Sequence, residues 1–385
     1  MRFRNGDFGI FPRCSRKTVF YYYWLYDSDG KRKYRSTGKK DYNDALQFCR
    51  TLSIKGQLYN GTSYSFDFYS QLFFDYEKCP YIRSRLLRGY SYGRTWAKRQ
   101  RSLLVKIIHP YFKDTDIRTV SPQMIDRFLF GLREKEINNK TLNHIITTIK
   151  AIFAYAKITG VIEINPTEGI KPFRIVTKEK GIFSRDELIE LFCNSMKSKI
   201  WTNPMHFLIN CIAATTGLRL GEILALKSDS INTTNIKVDY SWNRIEGLKS
   251  TKSGKSRIVP ISIDLSRALF DFIEKTNING FLFSANSGKT PIDHKVVYKS
   301  FFSALSKIGI DTENKKIRNI SFHSYRHTFN TLLLEAGVHP ETLRLITGHS
   351  SVNMTERYSH VQLNNMPDII KKLPVIDNIK LLKEK

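Results

Sequence analysis

Acidic residues, paired cysteines and long apolar runs are all scarce in this chain of 385 residues. It has 35 Asp and Glu residues against 62 Lys and Arg, which gives a formal net charge of +27. A folded chain with this surplus of positive charge needs a polyanionic partner. Nucleic acid is favoured over an anionic membrane surface. The hydrophobic share of 41% supplies material for several cores, so a disordered basic tail is excluded.

No segment approaches the ~20 apolar residues that a membrane-spanning helix needs, and the N-terminal MRFRNGDFGIFPRC lacks the apolar core of a signal peptide. We therefore expect no membrane partner. The five cysteines are odd in number and never in CxxC spacing, which argues against a disulfide framework and a structural zinc. They indicate a reducing compartment, so we expect a cytoplasmic protein associated with the nucleoid.

The length and the apolar patterns predict a mainly α, multidomain protein with small β elements. In residues 1–60, two β-prone runs flank the turn signal Asp27–Gly30. After Gly38, apolar residues follow at helical spacing, from Ala45 to Leu52. We expect a small three-stranded sheet followed by one helix.

Residues 63–172 are almost wholly helical in pattern, and they predict a bundle in which Ser121 caps one helix and another ends at Gly160. Residues 180–365 mix helices with one strand pair, Ile236–Tyr240 and Arg257–Ile261, with a tight turn between the strands. The basic, amphipathic tail of residues 366–385 fits either a docking peptide or a frayed helix.

Cations cluster beside aromatic residues in the N-terminal hairpin and again in the helical block. A solvated edge that discourages aggregation and a DNA-docking surface both fit the hairpin cluster, since sheets do enter DNA grooves. The candidate DNA-binding residues are Lys31, Arg32, Lys33 and Arg35 in the hairpin, and Arg94, Lys98, Arg99 and Arg101 in the helical block.

An arginine follows the most apolar helix of the sequence. The run Phe207–Ala214 predicts a buried helix, and Arg219 comes soon after Gly217. A guanidinium beside a core needs a partner because an unpaired internal charge is costly. Either Glu222, three residues on, or an anion from outside supplies that partner.

The stretch HSYRH places His323, Arg326 and His327 on one face of a predicted helix, with Ser321 as a plausible N-cap. An amphipathic helix with core histidines is one interpretation. Zinc is disfavoured, because the glutamate of HExxH is absent and Arg326 would face the metal. Two arginines with histidines instead suit a phosphate, and Tyr358 is a candidate nucleophile.

Four motifs occur in a fixed order: TGLRLGE, the turn TKSGK, HSYRH and GHSSVNMTERY. Together they resemble the catalytic domain of the tyrosine recombinases, specifically the integrases of phages and conjugative transposons. The resemblance implies a mixed α+β catalytic domain at residues 180–365. It also implies that residues 63–172 are a helical core-type DNA-binding domain and that residues 1–60 are the arm-type DNA-binding domain of three-domain integrases.

The resemblance also implies roles for individual residues. Arg219 and Arg326 would bind the scissile phosphate, and Tyr358 would attack the phosphorus. Lys252, or alternatively Lys255, would donate a proton to the leaving 5′ oxygen, and His323 would accept the proton of the tyrosine. His349 would donate a hydrogen bond to a non-bridging oxygen. Glu222 would support the site, and His327 would be structural.

These roles predict a site-specific DNA recombinase that works through a 3′-phosphotyrosine intermediate and both integrates and excises a mobile element. It would need no ATP, metal or other cofactor. We expect double-stranded attachment-site DNA as substrate, a homotetramer on DNA, and accessory DNA-bending or directionality proteins. The alternative from another class is a non-catalytic, sequence-specific DNA-binding protein on the same fold. A relaxing topoisomerase and a chromosome-dimer resolving recombinase share the chemistry, but the extra N-terminal block favours an integrase.

Overall fold

The computed structural model describes residues 3–5, 8–15, 18–26, 32–54, 65–176, 178–193, 200–251, 254 and 256–348. The chain divides into two compact units, residues 1–176 and 177–385. Buried apolar side chains form two separate clusters in the first unit and one large cluster in the second. The fold is mainly α with small β elements, as the sequence predicts.

The first unit begins with an antiparallel sheet of four strands in the order β1-β2-β3-β4, followed by one helix. The elements are β1 Phe3–Asn5, β2 Phe8–Ser15, β3 Thr18–Tyr26, β4 Arg32–Ser36 and α1 Tyr42–Ile54. The expected number of three strands is corrected to four. The additional strand β1 has three residues, too few for an alternating pattern, and it pairs Asn5 with Phe8. Ile10, Tyr23 and Leu25 belong to one buried cluster with residues of α1.

The rest of the first unit is helical. Its elements are α2 Phe66–Ser70, α3 Pro80–Leu87, α4 Arg94–Leu103, a π-helical segment Leu104–Ile108, α5 His109–Phe112, a 3-10 turn Ile117–Thr119, α6 Pro122–Glu134 and α7 Asn139–Ile158. The predicted cap is confirmed, because the Ser121 hydroxyl accepts from the Met124 N–H at 3.3 Å. The predicted end at Gly160 is also confirmed, since α7 stops at Ile158 and Gly160 has a φ of +71°.

The second unit combines helices with two small antiparallel sheets. Its helices are α8 Arg185–Phe192, α9 Pro204–Thr216, α10 Leu220–Leu224, α11 Ile263–Thr276, α12 His294–Lys307, α13 Thr312–Ile317, α14 Ser324–Glu335 and α15 Pro340–Thr347, with a 3-10 turn at Ser228–Ser230. The strands are β5 Asn235–Val238, β6 Tyr240–Asn243, β7 Gly247–Ser250 and β8 Arg257–Pro260.

One strand pair was expected in this unit, and the structure has two. The predicted pair exists as β5 with β8, but β6 pairs with β7 between them. Strands β6 and β7 have four residues each, and residues 244–246, which join them, contain no strong turn dipeptide. The sequence pattern for a hairpin is therefore weak here. Strands β7 and β8, on either side of residues 251–256, therefore belong to different sheets. The Gly254 N–H donates to the Thr251 carbonyl at 2.9 Å, as in a tight turn, and Ser253 lies outside the described residues.

Helix α9 lies at the centre of the second unit. Every residue from Phe207 to Ala213 is buried, and the helix packs against α11, α12 and α14. This confirms the buried helix expected from the apolar run. Within the ranges that the structure describes, no helix combines the length and the apolar character needed to cross a membrane.

Candidate active site

The end of α9 positions Arg219. Gly217 terminates that helix with a φ of +64°, and a Cβ at this position would lie 2.7 Å from the Phe329 ring, so only glycine fits without displacement. Arg219 is the residue immediately before α10, and its backbone N–H donates to Oε2 of Glu222 at 3.0 Å. This bond satisfies a donor at the helix start and fixes the arginine relative to the carboxylate.

Glu222 is a buried carboxylate shared by two guanidinium groups. Its side chain is 1% exposed. Nη1 of Arg219 donates to Oε1 at 3.0 Å, and Arg257 donates from Nη2 to Oε2 at 2.7 Å and from Nη1 to Oε1 at 3.3 Å. Burial by itself would raise the pKa of Glu222, but the hydrogen bonds and charges of Arg257 and Arg219 outweigh it and lower the pKa below its ordinary value.

Arg257 was missed by the sequence analysis, although a signal was present. It begins β8, in which Val259 is buried and Ile258 is exposed. Residues two apart in a strand share a face, so the buried Val259 places Arg257 on the inner face. A cation there requires an acidic partner, and Glu222 is the acid that it contacts.

Arg326 is fully enclosed and bonded to backbone carbonyls. It lies in the first turn of α14 and is 1% exposed. Nη1 donates to the Gly217 carbonyl at 2.8 Å and Nη2 to the Thr347 carbonyl at 2.6 Å. Burial, with the charges of Arg219 and Arg257, lowers the pKa of Arg326 to about 9, so the group still carries its proton at neutral pH.

The two histidines of HSYRH lie at the start of the same helix. The rings of His323 and His327 are 5.0 Å apart and nearly perpendicular. His323 is exposed and His327 is half-buried. Burial, with the charges of Lys180 and Arg326, lowers the pKa of His327, which favours its neutral form. Ser321 is not the N-cap: His323 holds that place, and the Ser321 N–H instead donates to the Ser324 hydroxyl at 3.1 Å.

The site carries an excess of positive charge. Three guanidinium groups, those of Arg219, Arg257 and Arg326, interact electrostatically with the one carboxylate of Glu222, which leaves a surplus of two positive charges. Arg219 is 28% exposed, whereas Arg326 is nearly inaccessible. Such a cluster is suited to an anion with several oxygens, because guanidinium groups bind phosphate through paired hydrogen bonds.

Four other residues predicted for this site, Lys252, Lys255, His349 and Tyr358, lie outside the described residues. The structure does describe the chain on either side of the first two and up to Gly348. Strand β7 ends at Ser250 and β8 begins at Arg257, next to Glu222. Helix α15 ends at Thr347, whose carbonyl is bonded to Arg326.

The cations predicted to bind DNA in the N-terminal hairpin lie on two different faces of the sheet. Directly opposed residues of antiparallel strands share a face. The core residues Leu25 and Tyr23 are opposite Lys33 and Arg35, so these two cations lie on the face that carries α1. Arg32 precedes Lys33 by one residue, so it lies on the opposite face of the sheet. Lys31 lies outside the described residues.

The face away from α1 combines aromatic rings with arginines, and we call it the outer sheet face. The Arg13 guanidinium lies 5.4 Å from the Tyr22 ring centre, and that of Arg32 lies 4.4 Å from the Trp24 ring centre. Tyr34 is 57% exposed. The outer sheet face comprises Phe11, Arg13, Tyr22, Trp24, Arg32 and Tyr34. Arg13 was not among the predicted DNA-binding residues, since it lies outside the dense cationic cluster.

The four cations predicted in the helical block lie in α4 and differ in their contacts. Arg94 pairs with Glu77 at 2.7 Å and is 53% exposed. Lys98 and Arg99 are exposed. Arg101 is tied to the bundle, because its Nη1 donates to the carbonyls of Gln71 at 2.9 Å and Phe73 at 3.0 Å. In the part of the chain that the structure describes, no group of three or more His, Cys, Asp and Glu side chains could hold a metal ion.

Comparisons with known proteins identify a matching family and several relatives. Residues 184–365 match the phage integrase family. A tyrosine recombinase of Pseudothermotoga lettingae is 26% identical over 68% of this chain and 85% of its own length. The ICEBs1 integrase of Bacillus subtilis is 27% identical over 71% of this chain and 76% of its own.

Two solved structures share the fold. The Tn1549 transposon integrase in complex with transposon right-end DNA aligns with a TM-score of 0.56 and 23% identity, over 76% of this chain and 98% of its own. A lambda integrase tetramer bound to a Holliday junction aligns with a TM-score of 0.57 and 16% identity, over 88% of this chain and 95% of its own.

Fold and site therefore define a multidomain, mainly α protein with the architecture of the solved integrases. The match at residues 184–365 and the relatives identify it further. Residues 184–365 carry a domain of the phage integrase family, and the chain is an enzyme of the site-specific tyrosine recombinase class.

Proposed function

We propose that this enzyme cleaves and rejoins DNA at attachment sites through a 3′-phosphotyrosine intermediate, and that it integrates and excises a mobile element. The observation that carries the proposal is the cluster of three arginines around Glu222, with its surplus of two positive charges. Positive groups held in place stabilise the negative charge that a phosphodiester carries in its transition state. The roles of Lys252, His349 and Tyr358 rest on the resemblance of their motifs.

The proposed first step is an in-line displacement at phosphorus. The Tyr358 oxygen forms a bond to phosphorus while the bond to the 5′ oxygen of the next nucleotide breaks. His323 accepts the phenolic proton, and Lys252 donates a proton to the leaving oxygen. A phenol has an ordinary pKa of ~10, so it needs both a base and a positive field to react at neutral pH.

The second step reverses the first with another strand. A 5′ hydroxyl attacks the phosphotyrosine, the tyrosine leaves, and a phosphodiester forms again. The number of phosphoester bonds is unchanged, so no ATP is consumed. Arg219 and Arg326 would stabilise the charge on the non-bridging oxygens in both steps, with a hydrogen bond from His349.

We further propose double-stranded attachment-site DNA as the substrate and a homotetramer as the active assembly. The Tn1549 integrase is known bound to transposon DNA, and lambda integrase as a tetramer on a Holliday junction. Accessory DNA-bending or directionality proteins would set the direction. The place of action would be the nucleoid in the cytoplasm, where the substrate lies.

The proposed domain roles rest on the resemblance to three-domain integrases. Residues 1–60 would bind arm-type DNA, residues 63–172 core-type DNA, and residues 180–365 would carry the chemistry, followed by the tail at 366–385. We assign arm binding to the outer sheet face. It offers Arg13 and Arg32 beside aromatic rings, a combination suited to phosphates and bases.

The test is covalent capture. The protein is incubated with a nicked suicide duplex that carries the attachment site of its element, and the products are separated on a denaturing gel. We expect a protein–DNA adduct with the parent protein, none with Tyr358→Phe, and an unchanged adduct with Tyr240→Phe, which alters an exposed tyrosine of β6.

Two further arms sharpen this test. Addition of EDTA should leave adduct formation unchanged, and a strict requirement for a divalent metal would contradict the mechanism. Specific binding of the verified site without any adduct would favour the non-catalytic DNA-binding protein. An adduct that persists in Tyr358→Phe would remove that residue as the nucleophile.

A further inference from the structure

Arg257 joins three parts of the second unit. Two of its nitrogens bond both oxygens of Glu222, at 2.7 and 3.3 Å. The third, Nε, donates to the Ile346 carbonyl in the last turn of α15 at 3.0 Å. Arg257 itself begins β8, the strand that follows residues 251–256. The side chain is 10% exposed, so these contacts fill its surroundings.

The end of α15 is shaped around this guanidinium. Gly348 closes the helix in a left-handed conformation with a φ of +67°. A Cβ at that position would lie 3.1 Å from Nη1 of Arg257, so the glycine backbone sits directly against the arginine. His349, which the resemblance assigns to the phosphate, is the next residue in the sequence. Arg257 therefore holds the end of α15, up to Gly348.

Because Arg257 and Arg219 both contact Glu222, Arg257 affects how much of the positive charge of Arg219 remains available to a phosphate. The carboxylate has two oxygens, and Arg257 contacts both, whereas the Arg219 side chain contacts Oε1 alone. Without Arg257, Arg219 would be the remaining cation bonded to a buried carboxylate, and the full attraction would fall on it. With Arg257 present, Glu222 is already neutralised, and the positive field of Arg219 stays available.

We propose that Arg257 is a positioning residue for the cleavage reaction: it holds Glu222 and the end of α15 so that Arg219 can bind the scissile phosphate. The inference rests on the proposed function and adds a residue to it. This role requires no contact of Arg257 with the phosphate or with Tyr358. It acts through Glu222 on Arg219, and through the end of α15.

The first experiment compares Arg257→Gln with the parent protein on the suicide duplex. The rate of adduct formation is measured in a single turnover at saturating DNA, and DNA affinity is measured separately by a gel-shift titration. We expect the rate to fall by roughly 100-fold, the scale of a small misplacement in an active site, with the DNA dissociation constant unchanged. Arg267→Gln, which removes an exposed arginine of α11 paired with Asp264, is the matched control.

A second substrate separates positioning from a general structural defect. In a duplex with a methylphosphonate at the scissile position, one charged oxygen is absent, so a poorly presented Arg219 matters less. We expect the ratio of parent to Arg257→Gln rates to shrink by about tenfold or more on this substrate. Equal ratios on the two substrates would overturn the proposal, because a folding defect acts alike on both.

A conservative variant keeps the test open if Arg257→Gln folds poorly. In Arg257→Lys one ammonium can neutralise Glu222 but cannot also reach the Ile346 carbonyl in the fork geometry of arginine. A rate between those of the parent and the glutamine variant is expected, with thermal unfolding measured alongside. A parent-like rate in Arg257→Gln would overturn the inference. Absence of an adduct with the parent protein itself would instead refute the proposed function.

Discussion

The arginines of the candidate active site and those of the outer sheet face differ in how they are held. Arg326 and Arg257 are enclosed and bonded to backbone carbonyls and a buried carboxylate. Arg13 and Arg32 lie over aromatic rings, and both are exposed. Enclosure fixes a charge at one point, as a transition state requires. Exposure on a ring leaves the arginine able to adapt to a DNA backbone.

The comparison predicts that shape, and not charge alone, matters at Arg326. Arg326→Lys keeps the positive charge but loses the fork that reaches the Gly217 and Thr347 carbonyls. We expect the rate of adduct formation to fall by about 10²–10³-fold, as for loss of a transition-state donor, while DNA affinity changes little. Arg267→Lys serves as the exposed control. A variant that retains most of the parent rate would show that a charge in this position suffices.

A smaller effect is expected from the buried carboxylate, and it depends on pH. Glu222 has a folded-state pKa below its ordinary value, so its contribution to stability is full above the unfolded pKa and is lost as pH falls through the folded value. Glu222→Gln leaves Arg257 without its charge partner. We expect a loss of about 3 kcal/mol in the free energy of unfolding at neutral pH, measured by denaturant titration.

The pH series provides the check on that prediction. The stability difference between the parent and Glu222→Gln should narrow as pH is lowered from 7 towards 3, because Glu222 of the unfolded parent chain takes up a proton at a higher pH than the native carboxylate does. A difference that stays constant over this range would mean that folding does not lower the pKa of Glu222. It would also remove the basis for treating Arg257 as its charge partner.

The smallest effect is expected at the exposed arginines. The double variant Arg13→Gln/Arg32→Gln alters the outer sheet face, whereas Lys33→Gln/Arg35→Gln removes the same charge from the face that carries α1. If the first pair contacts phosphates, it should weaken arm-type DNA binding and lower the slope of log K against log salt by about 1.8, or ~0.9 for each contact.

The second pair should change that slope less. Binding is measured by fluorescence anisotropy over a series of salt concentrations with residues 1–385 intact. Equal losses in the two double variants would mean that net charge, and not the outer sheet face, directs arm binding. A larger loss for Lys33→Gln/Arg35→Gln would place the DNA on the opposite face.

Local sequence carried much of the fold and part of the site. The cap at Ser121, the helix end at Gly160 and the pairing of Arg219 with Glu222 all depend on residues within a few positions of one another. Arg257 could not be assigned in this way, because its partners Glu222 and Ile346 lie 35 and 89 positions away. Such contacts arise from packing, which no local pattern encodes.

The register of strand pairing explains most of the other differences between the predicted and the observed structure. Lys33 and Arg32 are adjacent in sequence, yet a period of two sends them to opposite faces, and only the pairing of β4 with β3 decides which face carries α1. The strands β6 and β7 are stabilised by each other and by contact with α10, not by a strong alternating pattern of their own. The cations are therefore visible in the sequence, but which of them share a face is not.

The two carbonyls bonded to Arg326 have a further electrostatic consequence. Gly217 and Thr347 lie at the C-terminal ends of α9 and α15, where aligned peptide dipoles place about half a negative charge at each helix end. These two helix ends stabilise the enclosed guanidinium of Arg326. Peptide dipoles take up no proton, so this part of the electrostatic field around Arg326 should be constant over any pH at which the helices are folded.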